Sequence, residues 1–274
     1  YQYKKLGNVV NIVPGPEGKT TTTTTPYTND PDDPTTIEPI NVPPSIPGYT
    51  TMVNGKTVSD KTIMPADPGQ DTTITYVADA QKATINYVDD TTGKTINSEA
   101  ISGHTGDKIA DPTEAITNYE KQGYKLVSDD LANGASFDND DKTDQVFNIH
   151  LEHATKTNVR NAKEDKTVTR TIKYHYAGTT KDAAPAKVQT IKFEAYDTID
   201  QVTGKTVNTT YSPVSQQFAS VKSPVISGYT ASQSEVSAQT VDSNTQDQTV
   251  TITYTANAQK ATINYVDDTT GKTI

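Results

Sequence analysis

The chain has 274 residues, a formal net charge of −10, 32% hydrophobic residues, four Phe, and neither Trp nor Cys. Such an acidic chain lacks the basic stripe that nucleic-acid phosphates or anionic lipid require, and no apolar run is long enough to span a membrane. Without Cys, disulfides, thiolate metal sites and a Cys nucleophile are excluded, and the small apolar stock points to several small cores rather than one large one.

A literal repeat organises the chain. Residues 80–96 read AQKATINYVDDTTGKTI, and residues 258–274 read the same 17 letters, 178 positions later. The match extends upstream: QDTTITYVA at 70–78 answers QTVTITYTA at 248–256, and Ile46-Pro47-Gly48-Tyr49-Thr50 answers Ile226-Ser227-Gly228-Tyr229-Thr230. A unit this long exceeds the roughly 20–50 residues of a solenoid repeat, so it must contain whole domains. Four segments follow. Residues 1–79 read as the C-terminal part of a preceding module, 80–156 and 157–257 as two domains, and 258–274 as the first strand of the next module.

Residues 1–79 carry eleven of the fifteen prolines, Pro14 to Pro68, and six consecutive threonines, Thr20–Thr25. Proline fixes φ and removes a ladder donor, so the segment reads mostly as connector: an O-glycosylated stalk or a stiff spacer. Only TTITYV at 72–77 alternates like a strand.

In 80–156, Ala83–Val88 alternates as a strand, and Asp89–Lys94 is a turn with Gly93 suited to positive φ. Lys94–Ala100 returns as its hairpin partner. Asp111-Pro112-Thr113-Glu114 then opens a short helix with Ala115, Ile116 and Tyr119 on one face, stopping at Gly123. Tyr124–Val127 and QVFNIHL at 145–151 are two further strands. That order suggests a β-grasp sheet with one helix across it. In 157–257, VTRTIKYHY at 168–176, residues 188–195 and QTVTITY at 248–254 read as strands. Val168, Ile172, Tyr174 and Tyr176 face one way, with Arg170 expected apart from them; Asp200–Lys205 is a turn, and Pro213–Val221 has room for a short helix. The fold class is therefore mainly β (α+β): tandem small β-grasp domains joined end to end, elongated.

The residues quoted for 83–96, together with GYKLVSDD at 123–130 and FDNDDKTDQVFNIHL at 137–151, resemble the mucin-binding (MucBP) domain. Residues 168–176, 188–193, 218–230 and the closing TVTITY resemble the second half of a Mub repeat, from mucus-binding proteins of gut-dwelling lactic acid bacteria. Residues 1–34 are similar to the proline-rich segments between such domains. The resemblance covers nearly the whole chain. It implies ubiquitin-like β-grasp domains within a cell-wall-anchored extracellular adhesin, held through a region outside these residues, that binds mucin glycoproteins through many weak contacts. It also implies immunoglobulins as a further partner of some repeats, and no catalytic residues. A passive stalk is the remaining alternative, and no nucleic-acid partner, membrane insertion or cofactor is expected.

No catalytic motif is visible. Asp89-Asp90 sits in a hairpin turn, where Asp is ordinary. Asp138, Asp140, Asp141 and Asp144 form either a structural Ca²⁺ site or a solvated acidic loop; Lys142 and Thr143 break the EF-hand pattern. His150 and His153, three apart on a strand, fall on opposite faces and do not share a metal. The Gly-Tyr pairs at 48–49, 123–124 and 228–229 are either glycan-stacking platforms or strand starts whose Tyr fills a core.

Overall fold

The computed structural model describes residues 4–15 and 18–274; residues 1–3 and 16–17 of the proline-rich segment lie outside it. The chain divides into two compact units, 1–154 and 155–274. It is mainly β, and among the described residues no helix is long and apolar enough to cross a membrane.

One sheet topology occurs three times. In residues 80–154 the first strand, Ala80–Asp89, pairs antiparallel with Lys94–His104 and parallel with the closing strand, Gln145–His153. The third strand, Tyr124–Asp129, pairs antiparallel with the closing strand. The spatial order is thus second, first, closing, third. A crossover must join the parallel pair, and the helix Thr113–Lys121 lies in that connection. Its Ile116 is buried, and Ala115 and Tyr119 pack with it against Ile85, Tyr87, Ile149 and Leu151. Asp111 accepts the Thr113 amide at 2.8 Å at its start, and Gly123, at φ +97°, ends it.

Residues 166–256 repeat the order. Lys166–Tyr176 pairs antiparallel with the 19-residue strand Asp182–Asp200 and parallel with Gln248–Ala256, which pairs antiparallel with Tyr229–Ala231. The far half of the long strand leaves this sheet and is held instead by Thr155–Arg160 and Thr206–Ser212. Ile172, Tyr174, Ile252 and Tyr254 fill the core beneath.

The third copy corrects the reading of residues 1–79 as mostly connector. Asn8–Pro14 pairs antiparallel with Thr20–Pro26 and parallel with Thr72–Ala78, which pairs antiparallel with Tyr49–Val53. The threonine run is a strand: β-branched side chains suit extended backbone, and prolines fall at its end and its partner's, where no ladder donor is lost inside. A small core of Tyr27, Ile37 and Ile40 forms beside the sheet, and Tyr27 donates its hydroxyl to Thr72 Oγ1 at 2.6 Å.

Two expectations in the second unit also change. Arg170 is not turned away from the apolar face; it is 1% exposed, in line with Val168, Ile172 and Tyr174. Residues 213–221 hold no helix. Ser215–Phe218 is a strand paired with Gln239–Asp242, which sinks Phe218 beneath Arg170, 4.9 Å from the guanidinium.

One turn recurs in sequence and geometry. In Asp-X-X-Thr-Gly-Lys at 89–94, 200–205 and 267–272, the Asp carboxylate accepts the amide two residues on at 2.8–2.9 Å, and the Gly amide donates to the Asp carbonyl at 2.7–2.9 Å. The glycines stand at φ +70°, +68° and +63°, a region that L-residues with a Cβ seldom enter.

Candidate binding surfaces

In the 80–154 domain, the helix Thr113–Lys121, the segment before it and the hairpin strand Lys94–His104 enclose a groove of about 500 Å³. Its floor is apolar, with Ile85, Ile101 and Phe137; its rim offers Glu99, Ser102, Lys108, Asp111 and Asn118. An apolar bed ringed by a few donors and acceptors is the usual construction of a site for a polar ligand with one hydrophobic face. Sequence reasoning missed it, because its rim comes from three separate segments and no local pattern links them.

The sequence-derived candidates are placed as follows. Asp138 and Asp140 accept the amides of Asp140 and Lys142, and Asp141 accepts from Gln81 Nε2 at 2.6 Å. All four acidic side chains of that loop, Asp144 included, are exposed. Among the described residues no group of three or more His, Cys, Asp or Glu side chains is placed to hold a metal ion.

His150 and His153 take separate carboxylates. His150 Nδ1 lies 2.7 Å from Asp90 at the surface, while His153 Nε2 lies 3.1 Å from Asp89 with both side chains nearly buried. Burial pushes the Asp89 carboxyl up, but the Thr92 hydroxyl, His153 and the Thr91 amide together outweigh it and hold it below its ordinary value. These pairs are structural stitches between the turn and the closing strand.

The Gly-Tyr pairs each start the third strand of a sheet. Tyr49 is half-buried, and Tyr124 joins a ring cluster with Tyr119 and His153 at 5.8 and 5.4 Å. Tyr229 differs: it is 37% exposed and stacks on Tyr176 at 4.8 Å.

A model of the mucin binding domain matches residues 81–153, and a model of the Muc B2-like domain matches residues 159–258. The type 2 repeat of the mucus binding protein MUB from Lactobacillus reuteri is 30% identical over 65% of this chain and all of its own length, with a TM-score of 0.45. The chain belongs to the mucin-binding domain family. Another solved member, Mub-RV, is 32% identical over 65% of this mucin-binding chain and 100% of its own, with a TM-score of 0.48. The MucBP domain of an adhesion protein from Pediococcus pentosaceus is 34% identical over 34% of this chain and 99% of its own, with a TM-score of 0.30. No curated protein matches the chain. The groove lies inside the segment that the mucin-binding domain model covers.

Proposed function

We propose that this chain is a mucus-binding module of an extracellular bacterial surface adhesin, anchored to the cell wall through a region outside these residues, and that it grips mucin-type glycans in the groove of the 80–154 domain. The observation that supports this reading is the groove's chemistry. An apolar floor matches the C–H face of a sugar ring, and Lys108, Glu99 and Asn118 match its hydroxyls. The reading carries no catalytic step; the site holds and releases.

Coulomb attraction does not help. Module and sialylated or sulfated mucin are both negative, so each contact is weak and repetition supplies the grip. Linking sites raises effective concentration, with avidity gains of roughly 10²–10⁴-fold. Binding should therefore strengthen as pH falls toward 4.5, where exposed carboxylates begin to take up protons. The fold should survive that range: carboxylates that hold turns, such as Asp89 and Asp242, sit below their ordinary value because hydrogen bonds favour their ionised form.

Surface plasmon resonance of the full chain on immobilised mucin tests both claims. Lys108→Ala with Asn118→Ala should weaken binding roughly 30-fold at pH 7, since each of the two lost hydrogen bonds is worth about 1 kcal/mol. Undiminished binding by this variant would remove the groove from the account.

A second reading has its own observation. Lys94–His104 is an outermost strand of its sheet, and its first seven residues are exposed on both faces. Such an edge pairs with a strand of a protein partner, an immunoglobulin domain included. Binding that persists after the mucin is stripped of glycans selects this reading. Absence of any binding selects a passive spacer.

A further inference from the structure

The 8–79 and 80–154 domains meet at a built joint. Gly48 is buried at φ +74°, and a Cβ added there would lie 2.7 Å from both Asn139 Cβ and Thr105 Oγ1. The backbone closes the contact: Asp79 N donates to Gly48 O at 2.9 Å, and Thr105 N donates to Asp79 O at 3.0 Å. Thr50 Oγ1 donates to Asp79 Oδ1 at 2.5 Å. Gln81, 4% exposed, reaches both Thr105 Oγ1 at 3.1 Å and Asp141 Oδ1 at 2.6 Å. Two loops of the following domain are thus seated on one glycine turn of the preceding one.

Every part of the preceding side recurs in the 166–256 domain. Gly228 stands at φ +78°, Tyr229 N donates to Ile226 O at 3.1 Å as Tyr49 N does to Ile46 O at 3.0 Å, and Asn257 N donates to Gly228 O at 2.8 Å. Thr230 Oγ1 donates to Asn257 Oδ1 at 2.5 Å, the same clamp at the same length. The surroundings differ in one respect. Gly228, Tyr229, Thr230, Asn257 and Gln259 are all exposed, whereas Gly48 and Gln81 are buried and Tyr49, Thr50 and Asp79 are half-buried. A Cβ on Gly228 would meet nothing within 4 Å.

We propose that the Gly228–Thr230 turn with Asn257 is a preformed docking surface for a second copy of the 80–154 domain, entered through residues 258–274. The occupant follows from the sequence: 258–274 repeats 80–96 letter for letter, so Gln259 stands where Gln81 does, and the copy carries its own Thr105, Asn139 and Asp141 to the turn. Exposure of Tyr229 then belongs to this joint rather than to glycan stacking. The joint fixes the angle between successive repeats, so an array grows with a set geometry rather than as loosely tethered beads. The proposal stands independently of the glycan reading.

The test uses the full chain extended by residues 97–154 after Ile274, with amide hydrogen exchange as readout. The Thr105 amide, which donates across the present joint, and the amide of its appended copy should both be protected. Asn139→Trp, in either copy, changes an exposed loop residue without touching a core. It should speed exchange of the Thr105 amide in the same copy on the order of 10-fold, with the Ile85 and Tyr87 amides unchanged. Gly228→Val should do the same to the appended Thr105 amide alone. An appended Thr105 amide that exchanges as fast as a loop amide, or that ignores both substitutions, would overturn the proposal. Mucin binding need not change in either case, so failure here is distinct from failure of the groove.

Discussion

Arg170→Ala is expected to destabilise the 166–256 domain by about 2–3 kcal/mol, the scale for emptying a buried site and losing hydrogen bonds from a charged donor. The guanidinium is 1% exposed, and its hydrogen bonds among the described residues go to neutral acceptors. It donates to Gln189 Oε1 at 2.7 and 3.0 Å, Ser237 O at 2.9 Å and Ala219 O at 2.8 Å. Burial pulls its pKa below the ordinary value, yet a guanidinium stays protonated in any folded protein, so the charge is offset only by these carbonyl dipoles and the Phe218 face. Alanine removes the charged donor from these acceptors and leaves a cavity beside Phe218. Arg170→Met fills the cavity and leaves the acceptors, so its loss should be smaller but still measurable by denaturant titration. A Met variant as stable as the parent would mean that Arg170 only fills space. Exchange at Ile85 and Ile149, in the other unit, is the internal reference.

The three Asp-X-X-Thr-Gly-Lys turns provide a graded series for the second large effect. Asp89→Ala removes acceptors from the Thr91 amide, the Thr92 hydroxyl and His153, all at a nearly buried site, and should cost about 2–3 kcal/mol. Asp200→Ala, which removes acceptors from the Val202 and Thr203 amides at a buried turn, should also cost stability, and Asp267→Ala, on the exposed hairpin, should have no measurable effect. The pH dependence has a definite sign. The folded Asp89 pKa lies below its unfolded value of about 3.9, so its stabilisation is complete above that value and is lost as pH falls through the folded one. Thermal melts of the parent and Asp89→Ala should therefore converge as pH drops below about 4. Equal destabilisation by Asp89→Ala and Asp267→Ala would show that the turn alone, not the buried His153 partner, sets the cost.

The sequence made the helix and the apolar strands readable because their signals are local. Asp111-Pro112 and the Ala115, Ile116, Tyr119 face announce the helix, and alternation announces Ala83–Val88 and the strands closing at Leu151 and Tyr254. What escaped was set by distant partners. The threonine run pairs only because Val9–Val13 lies opposite it, and uniform Thr shows no period. Ser215–Phe218 is a strand because Gln239–Asp242 is its neighbour. Arg170 is inward because Ala219 and Ser237, about 50 and 67 residues away, bring carbonyls to it. The groove was invisible for the same reason, since Glu99, Lys108 and Asn118 converge only once the helix lies across the sheet.

The parallel pairing of first and closing strands has a mechanical meaning. When a cell attached to mucus is dragged by flow, tension enters each domain at the start of the first strand and leaves at the end of the closing one. Those two strands are direct neighbours running the same way, as in Ala83–Asp89 beside Gln145–Leu151. Pulling them apart lengthwise strains all the rungs of that ladder together instead of unzipping them one by one. Each domain is thereby strongest along the axis on which an adhesin is hauled.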